Sequence, residues 1–127
     1  MVSKEQERIA AKVLDCAFIV HSELGPGLLE KAYQMCLMYE LQNSGLYVES
    51  EKPLPLMYKG VTIDCGYRLD ILVERDKLII ENKSVQEFNA IHLAQLLNYM
   101  RLSGISLGFL FNFNVKSFKD GFKRVVL

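Results

Sequence analysis

The sequence predicts an α/β fold: a mixed four-stranded sheet with helices on both faces, in the order α-α-β-β-β-α-β. Three observations predict it. Two stretches of helical periodicity open the chain on either side of Gly25-Pro26-Gly27. Two runs of branched apolar residues, Ile71 to Val73 and Leu78 to Ile80, flank a charged Arg75-Asp76-Lys77 tip, as in a hairpin whose strands are both buried. A helical pattern from Phe88 to Met100 then leads into the almost continuous apolar run Ile105 to Phe113, the mark of a strand covered on both faces. At 127 residues the chain reads as one domain, 1–127, large enough to bury about two thirds of the surface its unfolded form exposes.

The elements follow in order. Ser3 with Gln6 forms a capping-box pattern, and Ile9, Val13, Ala17, Val20 and Leu24 recur at helical spacing, so the first helix runs five or six turns. Pro26 cannot continue it, and the flanking glycines permit a reversal into a second helix from about Leu28 to Ser44, closed by Gly45. Tyr47 to Tyr58 and Val61 to Leu69 then read as strands joined at Lys59-Gly60. Pro53 and Pro55 would turn their missing N–H groups to the same side, which suits an edge strand. The third helix ends at Gly104. A strand, a helix and a strand in succession make the final strand parallel to the one carrying Glu81. The last dozen residues, with Lys116, Lys119, Lys123 and Arg124 against Asp120, hold the only local basic excess.

Lysine and arginine number 15 and aspartate and glutamate 15, so no global field draws the protein to polyanions and any such site must be local. The polar start lacks the apolar core of a signal peptide, and no segment approaches a membrane span, so a cytoplasmic chain with no membrane partner is expected. Cys16, Cys36 and Cys65, far apart among apolar neighbours and without a Cys-x-x-Cys pair, are expected to be reduced core thiols.

The chemistry concentrates between Arg68 and Lys83. With Arg75-Asp76 as a two-residue turn, Glu74 pairs with Lys77, Asp70 falls opposite Glu81, and Lys83 shares their face. Facing carboxylates in apolar strands repel, and a cation between them relieves both the repulsion and the burial. Two hard oxygen ligands of this kind suit magnesium, and the neighbouring lysine can offset charge in a transition state. The same acids also fit ordinary surface salt bridges with Lys83 or Arg68. Glu30 shares a helix face with Tyr33 and Leu37, although an acid in a first turn is equally explained by the helix dipole. His92, Gln95 and Tyr99 make one polar stripe on the third helix. Gln95 can bond phosphate and Tyr99 can touch sugar or base, while a buried tyrosine with a satisfied hydroxyl explains the latter as well. His21 and His92 lie on different helices, which argues against zinc.

Gly27-Leu28-Leu29-Glu30-Lys31-Ala32-Tyr33 resembles the signature of the GxxExxY protein family. Arg68-Leu69-Asp70 with Glu81-Asn82-Lys83 resembles the acid and Glu-x-Lys elements of the PD-(D/E)XK nuclease superfamily, to which that family is assigned. Ala94-Gln95-Leu96-Leu97-Asn98-Tyr99 and Asn112-Phe113-Asn114 add to the likeness, which runs from about Val20 to Val126. The resemblance implies a restriction-endonuclease-like core and a Mg2+- or Mn2+-dependent nuclease that hydrolyses phosphodiester bonds with metal-activated water. It implies Asp70, Glu81 and the Asn82 backbone carbonyl as metal ligands, with Glu30 as an additional helix-borne acid. Lys83 would then be catalytic, and Tyr33, Gln95 and Tyr99 accessory. Nucleic acid is the implied partner, DNA ahead of RNA. Asn82 departs from the usual apolar middle residue of Glu-x-Lys, and a buried asparagine needs hydrogen-bond partners. The small size and the apolar share of 50% suggest a homodimer. The competing expectations are a catalytically silent module of the same fold that binds nucleic acid or a protein, and a dimerisation domain whose acids are surface salt bridges.

Overall fold

The computed structural model describes residues 1–127. Helix α1, Lys4–Leu24, begins at the predicted capping box, where the Gln6 N–H donates to Ser3 Oγ at 3.0 Å and the Ser3 N–H to Gln6 Oε1 at 2.9 Å. Gln6 is also buried, and its amide donates to the Lys77 carbonyl at 2.8 Å, tying the start of α1 to the site-bearing hairpin. Helix α2, Glu30–Asn43, follows the glycine turn, in which Gly25 and Gly27 both take the left-handed φ that favours glycine.

The strands are β1, Val48–Pro53; β2, Leu56–Tyr58; β3, Val61–Ile63; β4, Arg68–Val73; β5, Leu78–Lys83; β6, Leu107–Asn112; and β7, Phe122–Val126. Helix α3, Ala90–Ser103, lies between β5 and β6. The main sheet has the order β1-β4-β5-β6-β7, mixed as expected, with β5 and β6 parallel and the other pairs antiparallel. It holds five strands where the sequence suggested four. The extra one is β7, within the basic tail, where Val125 packs inward and Lys123 and Arg124 face out. Such charges are usual on an edge strand, and they mask its apolar alternation. Arg124 makes a two-pronged contact to Glu7 at 2.7 and 2.8 Å, holding β7 against α1.

The segment 54–67 also differs from expectation. Lys59 and Gly60 do form the tight turn, with φ of 49° and 80°, but β2 and β3 pair only with each other as a short ribbon off the main sheet. The chain leaves edge strand β1 at Leu54-Pro55, whose last rung is Leu54 N–H to the Tyr67 carbonyl at 2.9 Å, and rejoins as β4. Proline at 55 has no N–H with which to extend that ladder.

The sheet separates two cores. On one face Ile71, Leu78, Ile80 and Phe109 pack with Val13, Ala17, Tyr33 and Leu37 of α1 and α2. On the other Leu72, Ile79 and Leu110 pack with Leu96 and Met100 of α3. Neighbouring residues such as Ile79 and Ile80 therefore serve opposite cores, which is why the central strands read as unbroken apolar runs. Gly108 on β6 lets α3 lie close, since a methyl group there would sit 3.0 Å from Met100 Sδ and 3.2 Å from Leu96 Cδ1. Of the three cysteines only Cys16 is buried. Cys36 and Cys65 are exposed, because one lies on the outer face of α2 and the other in the segment between β3 and β4. No helix is long and apolar enough to cross a membrane.

Candidate active site

The site forms where β4 and β5 part. Their ladder runs Val73 to Leu78, Leu72 to Ile79 and Ile71 to Ile80, which makes Asp70 and Glu81 the next pair. The connection is a four-residue loop, Glu74 to Lys77, closed by Lys77 N–H to the Val73 carbonyl at 3.2 Å, with Glu74 and Arg75 in left-handed backbone. The expected two-residue turn is thus replaced by a longer loop. Lengthening by one residue on each side keeps the parity, so Asp70 and Glu81 still meet. At this step side chains take over from the backbone ladder. The Asp70 N–H donates to Glu81 Oε1 at 3.2 Å, and the Asn82 N–H donates to Asp70 Oδ2 at 2.8 Å.

Burial governs both acids. It pushes the Asp70 carboxyl up to about 6, against the lowering effect of the Asn82 N–H, with the charge of Glu51 raising it further. Glu81 is 3% exposed, and burial and then the charge of Asp70 push its carboxyl up to about 8. Without a cation the pair is not fully ionised at neutral pH.

Lys83 lies on the α3 side. Its ammonium donates to Gln95 Oε1 at 3.1 Å, and Gln95 Nε2 in turn donates to the Tyr99 hydroxyl at 2.9 Å, so the polar stripe of α3 joins the site through a lysine–glutamine–tyrosine chain. His92 does not join it. Its Nδ1 accepts from the Asn89 N–H at 3.2 Å and completes the cap of α3.

Glu30 begins α2, and its Oε1 accepts from the Ser84 N–H at 3.1 Å, fastening the helix to the end of β5. Tyr33 is fully buried. Its hydroxyl donates to the Gly25 carbonyl at 2.5 Å and accepts from the Leu28 N–H at 3.1 Å, while its ring stacks on Phe113 at 4.8 Å. Tyr33 therefore shapes the turn that presents Glu30 and has no surface to offer a ligand.

Asn82 occupies the other face of β5, in register with Leu78 and Ile80. It is 3% exposed, and neither its Oδ1 nor its Nδ2 has a hydrogen-bond partner. It borders a cleft of about 670 Å³ beside α2, together with Glu30, Gln34, Glu51, Asp70 and Lys83. Two of these residues escaped the sequence reading. Glu51 lies on β1 between the Ser50–Ile71 and Lys52–Leu69 pairs, opposite Asp70, and has φ of 53°. Gln34 reaches both the Asp70 carbonyl at 3.3 Å and Glu51 Oε2 at 3.4 Å. The spacing of Glu30 and Gln34 on one helical face was a signal for the latter, whereas Glu51 requires the long-range pairing of β1 with β4.

No group of three or more His, Cys, Asp or Glu side chains converges at metal-ligand spacing. What fits a cation is the chemistry of the acid pair. Asp70 and Glu81 are hard oxygen donors, each with one oxygen engaged by a backbone N–H and the second free of hydrogen bonds within the chain. Their raised proton affinities are what a divalent cation would offset. A set of one or two carboxylates suits magnesium, which keeps several waters, better than it suits zinc. Asp70 and Glu81 can hold the ion, with the Asn82 carbonyl as a further oxygen donor. Glu30, fastened to Ser84, contributes negative charge felt at Asp70.

Searches of curated proteins and of solved structures return no match. The sequence profile described as PD-(D/E)XK nuclease superfamily matches residues 7–125, from α1 to β7. That span takes in the acid pair, Lys83 and the mixed sheet that presents them, and by it the chain belongs to the PD-(D/E)XK nuclease superfamily.

Proposed function

We propose that this protein is a divalent-metal-dependent nuclease that hydrolyses phosphodiester bonds at Asp70, Glu81 and Lys83. The observation that carries the reading is the buried, facing pair of Asp70 and Glu81, electrostatically costly as it stands and beside a lysine held by Gln95. Magnesium or manganese bound there supplies Lewis acidity toward a phosphoryl oxygen and lowers the pKa of water. Lys83 places a positive charge next to the reacting phosphate, where negative charge grows in the transition state. Gln95 holds that ammonium in position, and Tyr99 holds Gln95. Glu30 and Ser84 fix the loop after β5. Asp70 and Glu81 orient through the backbone N–H groups they accept.

The finer likeness to the GxxExxY family is supported by how its three residues work together. Gly27 permits the turn, Tyr33 bonds across it, and Glu30 starts the helix at the site. DNA ahead of RNA, a homodimer and a cytoplasmic setting complete the proposal.

The test is incubation of the wild type, Glu81→Ala and Lys83→Ala with single-stranded, duplex, flapped and junction DNA and with RNA, across Mg2+, Mn2+ and Ca2+. Cleavage by the wild type with Mg2+ or Mn2+, lost in both variants while their circular dichroism is unchanged, is expected. Unchanged cleavage in both variants refutes the site. A second reading, a silent binding module of this fold, is favoured by one observation: no three acidic groups converge at ligand spacing. Calorimetric titration with Mg2+ separates the two, because a silent site binds the ion weakly or not at all.

A further inference from the structure

Two clefts lie on opposite faces of the sheet, one lined by Asp70 and Lys83 and the other by the Gln95 that holds Lys83, and their charges differ. The cleft beside α2 is bordered by three acids, Glu30, Glu51 and Asp70, against two cations, Lys31 and Lys83. On the opposite side of the sheet, between α3 and the start of the β2–β3 ribbon, lies a second cleft of about 590 Å³ with no carboxylate in its lining. Leu56, Tyr67, Gln95, Asn98, Tyr99 and Arg101 line it, and Arg101 is its one charged side chain. A nucleic-acid strand carries a negative charge on every nucleotide, so the carboxylate-free cleft is the one its backbone can enter at the lower electrostatic cost.

We infer that the α3–ribbon cleft is a subsite for an unpaired nucleotide next to the scissile phosphate, which makes the substrate a single-stranded or locally unpaired nucleic acid. This rests on the nuclease reading above and adds its substrate class. Tyr67 is 42% exposed and its ring lies 5.8 Å from that of the buried Tyr99, forming an aromatic wall open to a ligand. Base stacking on such a ring is tolerant of sequence, because every base has a π-face. Asn98 lines the cleft with an amide whose Nδ2 is available to a base edge, and Arg101, whose Nη1 donates to Asn98 Oδ1 at 3.3 Å, is placed for a phosphate. The cleft also connects to the chemistry, since Gln95 holds Lys83 at 3.1 Å and Tyr99 at 2.9 Å. A base within a duplex is stacked and paired and cannot present its face to a concave pocket, whereas an unpaired one can. The balance of 15 cations and 15 anions fits the same substrate, because gripping a long duplex calls for a broad basic face.

The test uses fluorescence anisotropy on the full chain in EDTA, so that binding is read apart from cleavage. The probes are fluorescein-labelled oligo-dT and oligo-U of about 12 nucleotides and a duplex of the same length, within the usual site sizes of single-strand binders. Tighter binding of a single strand than of the duplex is expected, and the two single-strand arms separate DNA from RNA. Tyr67→Ala should weaken single-strand binding by about tenfold or more, with Tyr67→Phe retaining it, and Arg101→Ala should flatten the salt dependence by about one phosphate contact. Both residues lie at the surface of the cleft, and unchanged melting curves check the fold. No binding, equal affinity for duplex and single strand, or wild-type affinity in Tyr67→Ala overturns the inference. Duplex cleavage without this binding would leave the nuclease reading standing, and Tyr67-dependent binding without any cleavage would do the reverse.

Discussion

Asp70 gives its backbone N–H to the Glu81 carboxylate at 3.2 Å, so the two acids that repel each other are also fastened to each other. The hydrogen bond lowers the proton affinity of Glu81, yet burial and the Asp70 charge outweigh it and carry the carboxyl from its ordinary value of 4.5 to about 8. A group whose proton affinity is raised by folding stabilises the fold while it is protonated. That contribution is fully present below pH 4.5 and is lost as pH rises through about 8. Metal-free protein is therefore expected to lose stability between about pH 4 and pH 8, the window between the ordinary and the raised values of the two carboxyls. Urea denaturation in EDTA across that range measures it, and flat stability would show that folding does not raise the proton affinity of either acid.

Glu81→Gln keeps an oxygen to accept the Asp70 N–H and removes the charge. At about 1.4 kcal/mol per pKa unit, the metal-free variant should be more stable than wild type at pH 8.5 by on the order of 2–4 kcal/mol, and equal to it near pH 4. Mg2+ should raise the melting temperature of the wild type and leave that of Glu81→Gln unchanged. A structural acid without a metal role would give the opposite result, destabilisation on substitution and no Mg2+ response in either protein.

Magnesium binding to the wild type should release protons. The ion favours ionised acids, so between about pH 6 and 8, where the pair is partly protonated, each binding event expels a fraction of a proton or more. Calorimetric titrations at pH 7 in two buffers of different ionisation enthalpy read the number directly, and the apparent affinity should rise with pH. Identical heats in the two buffers would contradict it.

Gln95 is a positioning residue, acting on the reaction through Lys83. Gln95→Ala frees the ammonium, which should lower kcat by about tenfold while Lys83→Ala costs on the order of 10² to 10³. Gln95→Glu supplies an acceptor of the same reach and should recover part of the loss, whereas a merely structural Gln95 would show no such rescue. Single-turnover cleavage of a labelled oligonucleotide measures each step.

Much of this site was legible because it depends on local parity. Asp70, Glu81 and Lys83 belong to one hairpin, and a turn of two or of four residues centred on Arg75-Asp76 brings the acids together alike, so their meeting does not depend on the turn length. Gln95 and Tyr99 were legible for a similar reason, four residues apart on one helix. Glu51 and Tyr67 were not. Their places depend on the pairing of β1 with β4 across the β2–β3 ribbon, and no periodicity within either segment announces a non-local pairing. The fifth strand was hidden by Lys123 and Arg124, whose charges suit an edge and resemble a solvated tail.

Asn82 is buried with an unpaired amide. The middle residue of the Glu-x-Lys strand segment faces the core shared with α1 and α2, and its amide finds no partner there. An unsatisfied buried polar group costs about 1–3 kcal/mol, and leucine has nearly the same shape without the polar atoms. Asn82→Leu keeps the backbone N–H that Asp70 accepts and the carbonyl available to a cation. The variant should therefore gain on the order of 1–3 kcal/mol in denaturant unfolding and keep its Mg2+ binding. Asn82 also borders the α2 cleft, which gives the measurement a second reading. A stabilised variant with unchanged cleavage assigns the asparagine a tolerated cost, while a stabilised variant with lost cleavage assigns its amide a task in the site.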